Sequence, residues 1–192
     1  MRQLLLASSS PYRRELFARL RLPFECCAPH IDEAARPGEP AAELARRLAC
    51  EKAQALAPSY GNHLIIGSDQ LAVLGEQILG KPRTYERATE QLRACSGKSV
   101  SFLTGLALLD SRSGEMQVEC VVFKVHFRQL DDPKIERYLN AEQPFDCAGS
   151  FKAEGLGVSL FRATEGTDAT SLVGLPLIQL VSMLAKAGIE VP

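Results

Sequence analysis

This sequence has no long apolar run, no metal-type cysteine spacing and no excess of charge. No stretch approaches the roughly 20 apolar residues of a membrane-spanning helix. The Leu4-Leu5-Leu6-Ala7 run is too short for a signal-peptide core and leads into a polar turn. The six cysteines, Cys26, Cys27, Cys50, Cys95, Cys120 and Cys147, include no C-x-x-C pair and resemble no zinc site. We expect a cytoplasmic protein with reduced, mostly buried thiols. The net charge is -1 and the isoelectric point about 6.3, so no basic field awaits nucleic acid. An anionic ligand needs a local cluster of cations. His30, His63 and His126 are scattered, and no Ser-His-Asp order or nucleophile elbow appears. Repeats, linkers and low-complexity segments are absent as well. What is left is an ordinary globular composition, 46% hydrophobic and 23% charged, and one domain is expected over 1–192.

Strands and helices alternate along the chain. Buried strands are expected over 3–7 and 64–67, a second strand over 24–28, and a small hairpin over 71–79 around Gly75-Glu76. Long strands over 100–109 and 116–130 are joined through Ser111-Arg112-Ser113-Gly114, a turn cluster. A last strand is expected over 157–162. The first helix should cover 11–20, with Ser10 as cap and Pro11 at its first position. Further helices are expected over 40–57, over 84–95 capped by Thr84, and over 131–140 capped by Asp131. The last runs over about 170–186, where Pro176 should bend or delay its start. Alternation plus an antiparallel hairpin gives an α/β class with a mixed sheet.

Asp69 stands out against this frame. It ends the run His63-Leu64-Ile65-Ile66-Gly67-Ser68-Asp69-Gln70, where a buried strand would leave the core. A carboxylate there is costly unless water, a cation or a metal compensates it. Ligands of open α/β sheets bind beyond the ends of strands. The chain also carries Ser8-Ser9-Ser10 after its first strand and Gly80-Lys81-Pro82 after Asp69. Carboxylate, cations and a Ser-rich turn point to phosphate chemistry. Helical spacing adds two cations. Arg13, Leu16, Phe17 and Leu20 form one inward stripe, with Arg14 off it and solvated. Lys52 falls in the stripe of Leu44, Leu48 and Leu56, where it either snorkels outward or shares an anion with Arg13. Asp32-Glu33 is either a solvated acidic loop or a pair that holds metal or orients water. Gly75 to Lys81 fits the G-x-x-x-x-G-K of a P-loop. Pro82 stands where a Ser or Thr would bind magnesium, and the next helix starts only at Thr84, so that reading is rejected. Lys81 can still meet a phosphate as a point charge.

Taken together, these segments resemble the Maf family of nucleoside triphosphate pyrophosphatases. The matching pieces are Leu6 to Arg14, Asp32-Glu33, Glu51-Lys52-Ala53, Gly67 to Gln70, Leu79 to Pro82, Ser96-Gly97-Lys98 and Leu172 to Pro176, in order across almost the whole chain. Ser68-Asp69-Gln70 and the segment from Cys147 to Gly155 resemble the 7-methyl-GTP branch. The dTTP/UTP branch usually has Ala-Asp-Thr at the first of these and a Tyr-Gly-containing segment at the second. Tyr12 stands where the methyl-GTP branch often has Trp.

The resemblance implies an α/β fold with a long central mixed sheet flanked by helices, two lobes with a cleft between them, and frequent dimers. It implies hydrolysis of a nucleoside triphosphate to monophosphate and pyrophosphate, with a divalent cation, magnesium or manganese. On it, Asp69 is the base or water orienter and, with Glu33, the metal ligand. Arg13, Lys52 and Lys81 neutralise the triphosphate. Ser8, Ser9 and Ser10 bind phosphate at a helix N-terminus. Tyr12, Gln70 and Glu154 read the base. Two alternatives stay open: the same chemistry on dTTP, UTP or other nucleotides, and a non-enzymatic nucleotide-binding regulator of cell division.

Overall fold

A computed structural model describes residues 2–191 of the chain. In chain order its elements are β1 (Gln3–Ala7), α1 (Pro11–Ala18), β2 (Phe24–Cys27), α2 (Ala41–Leu56), β3 (His63–Leu74), β4 (Gln77–Leu79), α3 (Tyr85–Cys95), β5 (Ser99–Asp110), β6 (Met116–Phe127), α4 (Asp132–Glu142), β7 (Phe161–Gly166) and α5 (Leu177–Lys186). The strands form one sheet in the order β2-β1-β3-β5-β6-β7, with β4 paired to β3. β1 is parallel to β2 and β3, whereas the β3–β4 and β6–β7 pairs are antiparallel. The class is therefore α/β with a mixed sheet. Two compact units share the chain. One consists of the chain up to Gln70, Thr104–Val121 and everything from Asp168 on; the other consists of Leu71–Leu103 and Val122–Thr167.

β1 is buried on both faces from Leu4 on, which is why it reads as an unbroken apolar run. Side chains alternate across a strand. Leu4 and Leu6 of β1 and Leu64 and Ile66 of β3 join Leu16 and Phe17 of α1 and Leu180, Met183 and Leu184 of α5. Leu5, Ala7 and Ile65 face the other way and meet Ala53 and Leu56 of α2. Ser10 caps α1 by accepting the Arg13 N–H at 3.4 Å, and Pro11 takes the first helical position. In the second unit α3 and α4 pack together and start at side-chain caps, Thr84 and Asp131. Phe102, Phe127 and Phe161 ring Phe151 there, with centroids 5.5 to 5.9 Å away.

Four local expectations change. β3 does not end at Gly67 but runs on to Leu74, so Asp69 is a mid-strand residue rather than a strand-end one. Ser68, Asp69 and Gln70 read as a break, yet each has a protein partner that removes the reason to leave the sheet. The last strand is Phe161–Gly166 instead of 157–162. A side chain at Gly157 would meet the Lys152 carbonyl oxygen at 2.3 Å, and Leu156–Leu160 winds as a 3-10 turn. The last α-helix begins at Leu177 rather than near 170: Pro176 delays its start as expected and is its N-cap, and Ala169–Val173 is a separate 3-10 turn closed by Gly174 at φ +112°. All six thiols are free, but only Cys95 is buried. Cys26 and Cys27 lie on β2, an edge strand, and so fall outside the core. Among the described residues no helix is long and apolar enough to cross a membrane.

Candidate active site

Glycine sets the first distance in the site. Gly67 and Asp69 are two apart on β3 and so share the face covered by α2. A Cβ at Gly67 would lie 2.0 Å from the Ala49 carbonyl oxygen and 3.1 Å from the Ala53 nitrogen. Gly105 on β5 does the same under Ala45, again at 2.0 Å. With no side chain at either position, the backbone of α2 rests directly on the strands. Lys52 stands on the helix stripe of Leu48, Ala49, Ala53 and Leu56 that this contact buries.

The close seat brings Lys52 Nζ to 2.6 Å from Asp69 Oδ1, with the two side chains only 9% and 11% exposed. Snorkelling is therefore not what Lys52 does. Its ammonium also meets Glu33 Oε1 at 2.7 Å. Glu33 sits on the loop before α2, and that loop is tied down from the helix. Arg47 grips Glu39 with two parallel hydrogen bonds, Nε to Oε1 at 2.6 Å and Nη2 to Oε2 at 2.8 Å. The same guanidinium donates to the Ala34 carbonyl, one residue past Glu33, at 2.9 Å. The neighbouring Asp32 turns to its own loop instead, where its Oδ1 accepts the Ala34 N–H at 3.0 Å. A buried ion pair adds little net stability, because desolvation offsets its attraction. A buried pair between a helix and a strand, with a second carboxylate on the same ammonium, is a candidate for chemistry. Among the described residues no group of three or more His, Cys, Asp or Glu could hold a metal by itself.

Ser68 and Gln70 alternate to the opposite face of β3 and meet the loop before α5. Ser68 Oγ lies 2.9 Å from both the Gly105 and Gly174 carbonyls, which share its one proton. Gln70 Nε2 donates to Ser171 O at 2.6 Å and Leu172 O at 3.1 Å, and lies 3.2 Å from Thr104 Oγ1. Every neighbour of that nitrogen accepts, so the amide orientation is fixed and its oxygen is the end turned elsewhere. Arg13 Nε donates to Gly174 O at 2.8 Å. Burial lowers the Arg13 pKa from its ordinary value, while the negative charges of Asp69 and Glu33 raise it. Arg13 thus shares a field with the Lys52 cluster, whereas Arg14 is exposed, as its stripe position implied. In the Ser-rich turn, Ser8 Oγ accepts the Ser10 N–H at 3.1 Å, Ser9 is exposed and Ser10 is committed to the helix cap. Tyr12 is half-buried in the first turn of α1.

The structure therefore gathers Arg13, Glu33, Lys52 and Asp69, with Gln70 on the reverse face of the strand. Lys81 and Glu154 belong to the second unit, where both are exposed: Lys81 after β4, and Glu154 in the turn beside Gly155. The P-loop reading stays rejected, since β4 fills the middle of that segment and α3 starts at Tyr85. The histidines do not converge. His30 is exposed, His63 lies edge-on to Tyr60 and His126 bonds Ser99. Sequence reasoning missed Gly67 and Gly105 as a helix seat, Arg47 as the anchor of the Glu33 loop, and the loop carbonyls at 171–174. Arg47, four residues before Glu51, carried a local signal for an ion pair, and the two in-strand glycines one for a close approach without its partner.

The chain is similar to known proteins along its whole length. The sequence profile of the Maf-like proteins matches residues 3–187. A protein of Pseudomonas syringae pv. syringae named 7-methyl-GTP pyrophosphatase is 70% identical over all of both chains. A Pseudomonas aeruginosa protein of the same name is 68% identical, again over the full length of both. A Nitrosococcus oceani protein so named is 55% identical over 98% of this chain and 94% of its own. The residues matched span both units, and the chain belongs to the Maf-like protein family.

Proposed function

We propose that this chain is a nucleoside triphosphate pyrophosphatase that hydrolyses 7-methyl-GTP to the nucleoside monophosphate and pyrophosphate. The observation that carries the reading is one buried ammonium, Lys52, held between the carboxylates of Asp69 and Glu33 in the field of Arg13. The named relatives supply the base.

Hydrolysis at the α-phosphorus forms a bond to a water oxygen and breaks the bond to the α–β bridging oxygen. It needs a proton acceptor, charge neutralisation and alignment. Asp69 takes the water proton. In the free protein Lys52 occupies both carboxylates; a triphosphate competes for that ammonium and so releases Asp69 to act as base. Arg13 and Lys52 neutralise phosphate charge, the Ser8–Ser10 turn lies at the N-terminus of α1, and Lys81 keeps the phosphate role its Gly-Lys-Pro turn suggests. Two carboxylates fit a hard divalent cation such as magnesium or manganese, which takes one or two protein carboxylates and completes its shell with phosphates and water. Asp69 and Glu33 would hold it, and it would supply further neutralisation of the phosphates.

7-Methylguanine carries a delocalised positive charge and stacks on an electron-rich ring more strongly than guanine does. Tyr12 supplies that ring. The guanine edge offers N1–H and an exocyclic amine as donors that one carboxylate accepts together, the role given to Glu154, while Gln70 reads another edge of the base. With this reading go a single catalytic domain over 1–192, a cytoplasmic location, a nucleotide rather than nucleic acid or a membrane as partner, and a homodimer as the assembly to test. The test is pyrophosphate release over a panel of 7-methyl-GTP, GTP, dTTP and UTP with added magnesium or manganese. The highest kcat/KM is expected for 7-methyl-GTP. A preference for dTTP or UTP overturns the assignment.

A further inference from the structure

Three side chains of the site hang on one short loop. Arg13 and Ser68 bond Gly174 O, and Gln70 bonds Ser171 O and Leu172 O. Carbonyl positions in that loop therefore decide where a guanidinium and an amide point. Gly174 closes the loop at φ +112°, a left-handed conformation that favours glycine, and its N–H bonds back to Ser171 O at 3.0 Å.

Something must hold the loop itself. Asp168 is 3% exposed and lies at its start. Its Oδ1 accepts the Thr170 N–H at 3.0 Å and the Thr170 hydroxyl at 2.6 Å. Its Oδ2 accepts the Ile178 N–H at 2.8 Å, beyond the loop, and Thr170 Oγ1 accepts the Leu177 N–H at 2.8 Å. Those two N–H groups open α5, whose own N-cap is Pro176 and offers no side-chain bond. The Ser171 hydroxyl adds a bond to Asp168 O at 2.6 Å. Asp168 and Thr170 thus clasp both ends of the segment whose carbonyls seat Gln70 and Arg13.

We propose, on the reading of Gln70 and Arg13 as nucleotide contacts, that Asp168 and Thr170 are positioning residues that set substrate selectivity through Gln70. A plain helix-capping role would lower stability and weaken all substrates alike. A positioning role changes the selectivity ratio, and does so only while Gln70 is present.

The experiment is a double-mutant cycle on the full chain, read as the ratio of kcat/KM for 7-methyl-GTP to that for UTP. Asp168→Ala should lower the ratio by about tenfold, the scale of one misplaced hydrogen bond. In a Gln70→Ala background the same change should leave the ratio within about twofold. Thr170→Val should act in the same direction, and Thr170→Ser, which keeps the hydroxyl, should restore the wild-type ratio. If Asp168→Ala does not fold by circular dichroism, Thr170→Val against Thr170→Ser carries the test alone. An unchanged ratio in a folded Asp168→Ala or Thr170→Val protein overturns the proposal. So does an equal fall with and without Gln70. A wild type that does not favour 7-methyl-GTP overturns the substrate reading instead. The cycle is then read on the two nucleotides the wild type separates most, and the same outcomes decide it.

Discussion

One methyl group at Gly67 should disable the site without touching any charged residue. The Cβ of Gly67→Ala falls 2.0 Å from the Ala49 carbonyl oxygen, where ordinary contact begins near 3.4 Å. The obstacle is helix backbone, so no side chain can swing aside, and α2 must lift from β3 by more than an ångström. Overpacking of this kind costs about 1–3 kcal/mol. The lower chain entropy of alanine in the unfolded state returns up to about 1 kcal/mol. The net loss, up to about 2.5 kcal/mol, lowers Tm by up to about 10 °C for a chain of this size. Turnover should suffer more than stability. Lys52 rides on the displaced helix and Asp69 stays on the strand, and a misplacement of about an ångström costs on the order of 10²-fold in rate. Steady-state pyrophosphate release and thermal unfolding, measured on the same preparation, test both effects. Gly61→Ala is the control: nothing lies within 4 Å of its Cβ, and both readings should stay near wild type. Wild-type turnover together with wild-type Tm in Gly67→Ala would refute the seat.

Three further outcomes are expected. Asp69→Asn keeps an oxygen toward Lys52 but loses the base, so kcat should fall about 10²-fold or more while the protein stays folded; near-normal kcat removes Asp69 from the mechanism. Hydrogen bonds from Arg47 hold the Glu39 carboxyl down at about 2, against an ordinary 4.5. A depressed carboxylate contributes stability above its unfolded pKa and loses it as pH falls through the folded one, so Glu39→Gln should narrow the Tm difference between about pH 6 and about pH 3; an unchanged difference rejects the clamp. Partial burial pushes the half-buried Cys147 thiol up to about 12, aided by Asp146 and Glu154, and burial raises Cys95 to about 11. Both stay protonated near neutrality, so mass spectrometry after brief iodoacetamide treatment at about pH 8 should find exposed Cys26 modified well before either; equal modification contradicts it.

Much of this was legible in the sequence, for physical reasons that can be named. Apolar period fixed the helices: the stripe through Leu44, Leu48 and Leu56 found α2 within one residue at each end and put Lys52 on its buried face. Caps did the same for α3 and α4, since Thr84 and Asp131 bond where local chemistry says they should. What failed was the length of β3. Periodicity treats a polar triplet as an ending, because it cannot see partners that are distant in sequence. Ser68 finds Gly174 from 106 positions away, and Gln70 finds Ser171 from 101. The two glycine seats were illegible for a similar reason. A glycine inside a strand signals a close approach, but not by which helix.

The continuous strand changes what the Ser-Asp-Gln triplet means. Read as a turn, its three polar side chains would belong to one cluster. Inside a strand, neighbours point to opposite faces. Asp69 therefore works against α2, where Gly67 has cleared the space for Lys52 to arrive. Ser68 and Gln70 work against the loop before α5, which also holds Arg13. One strand thus ties together an acid–ammonium cluster on one side and a guanidinium and amide on the other. A register slip of one residue would exchange the two sets and bury the amide against the lysine. That is a strong reason for β3 to be pinned at both ends of the triplet: by its parallel pairing with β1 up to Gly67, and by the antiparallel hairpin with β4 from Ala72 onward.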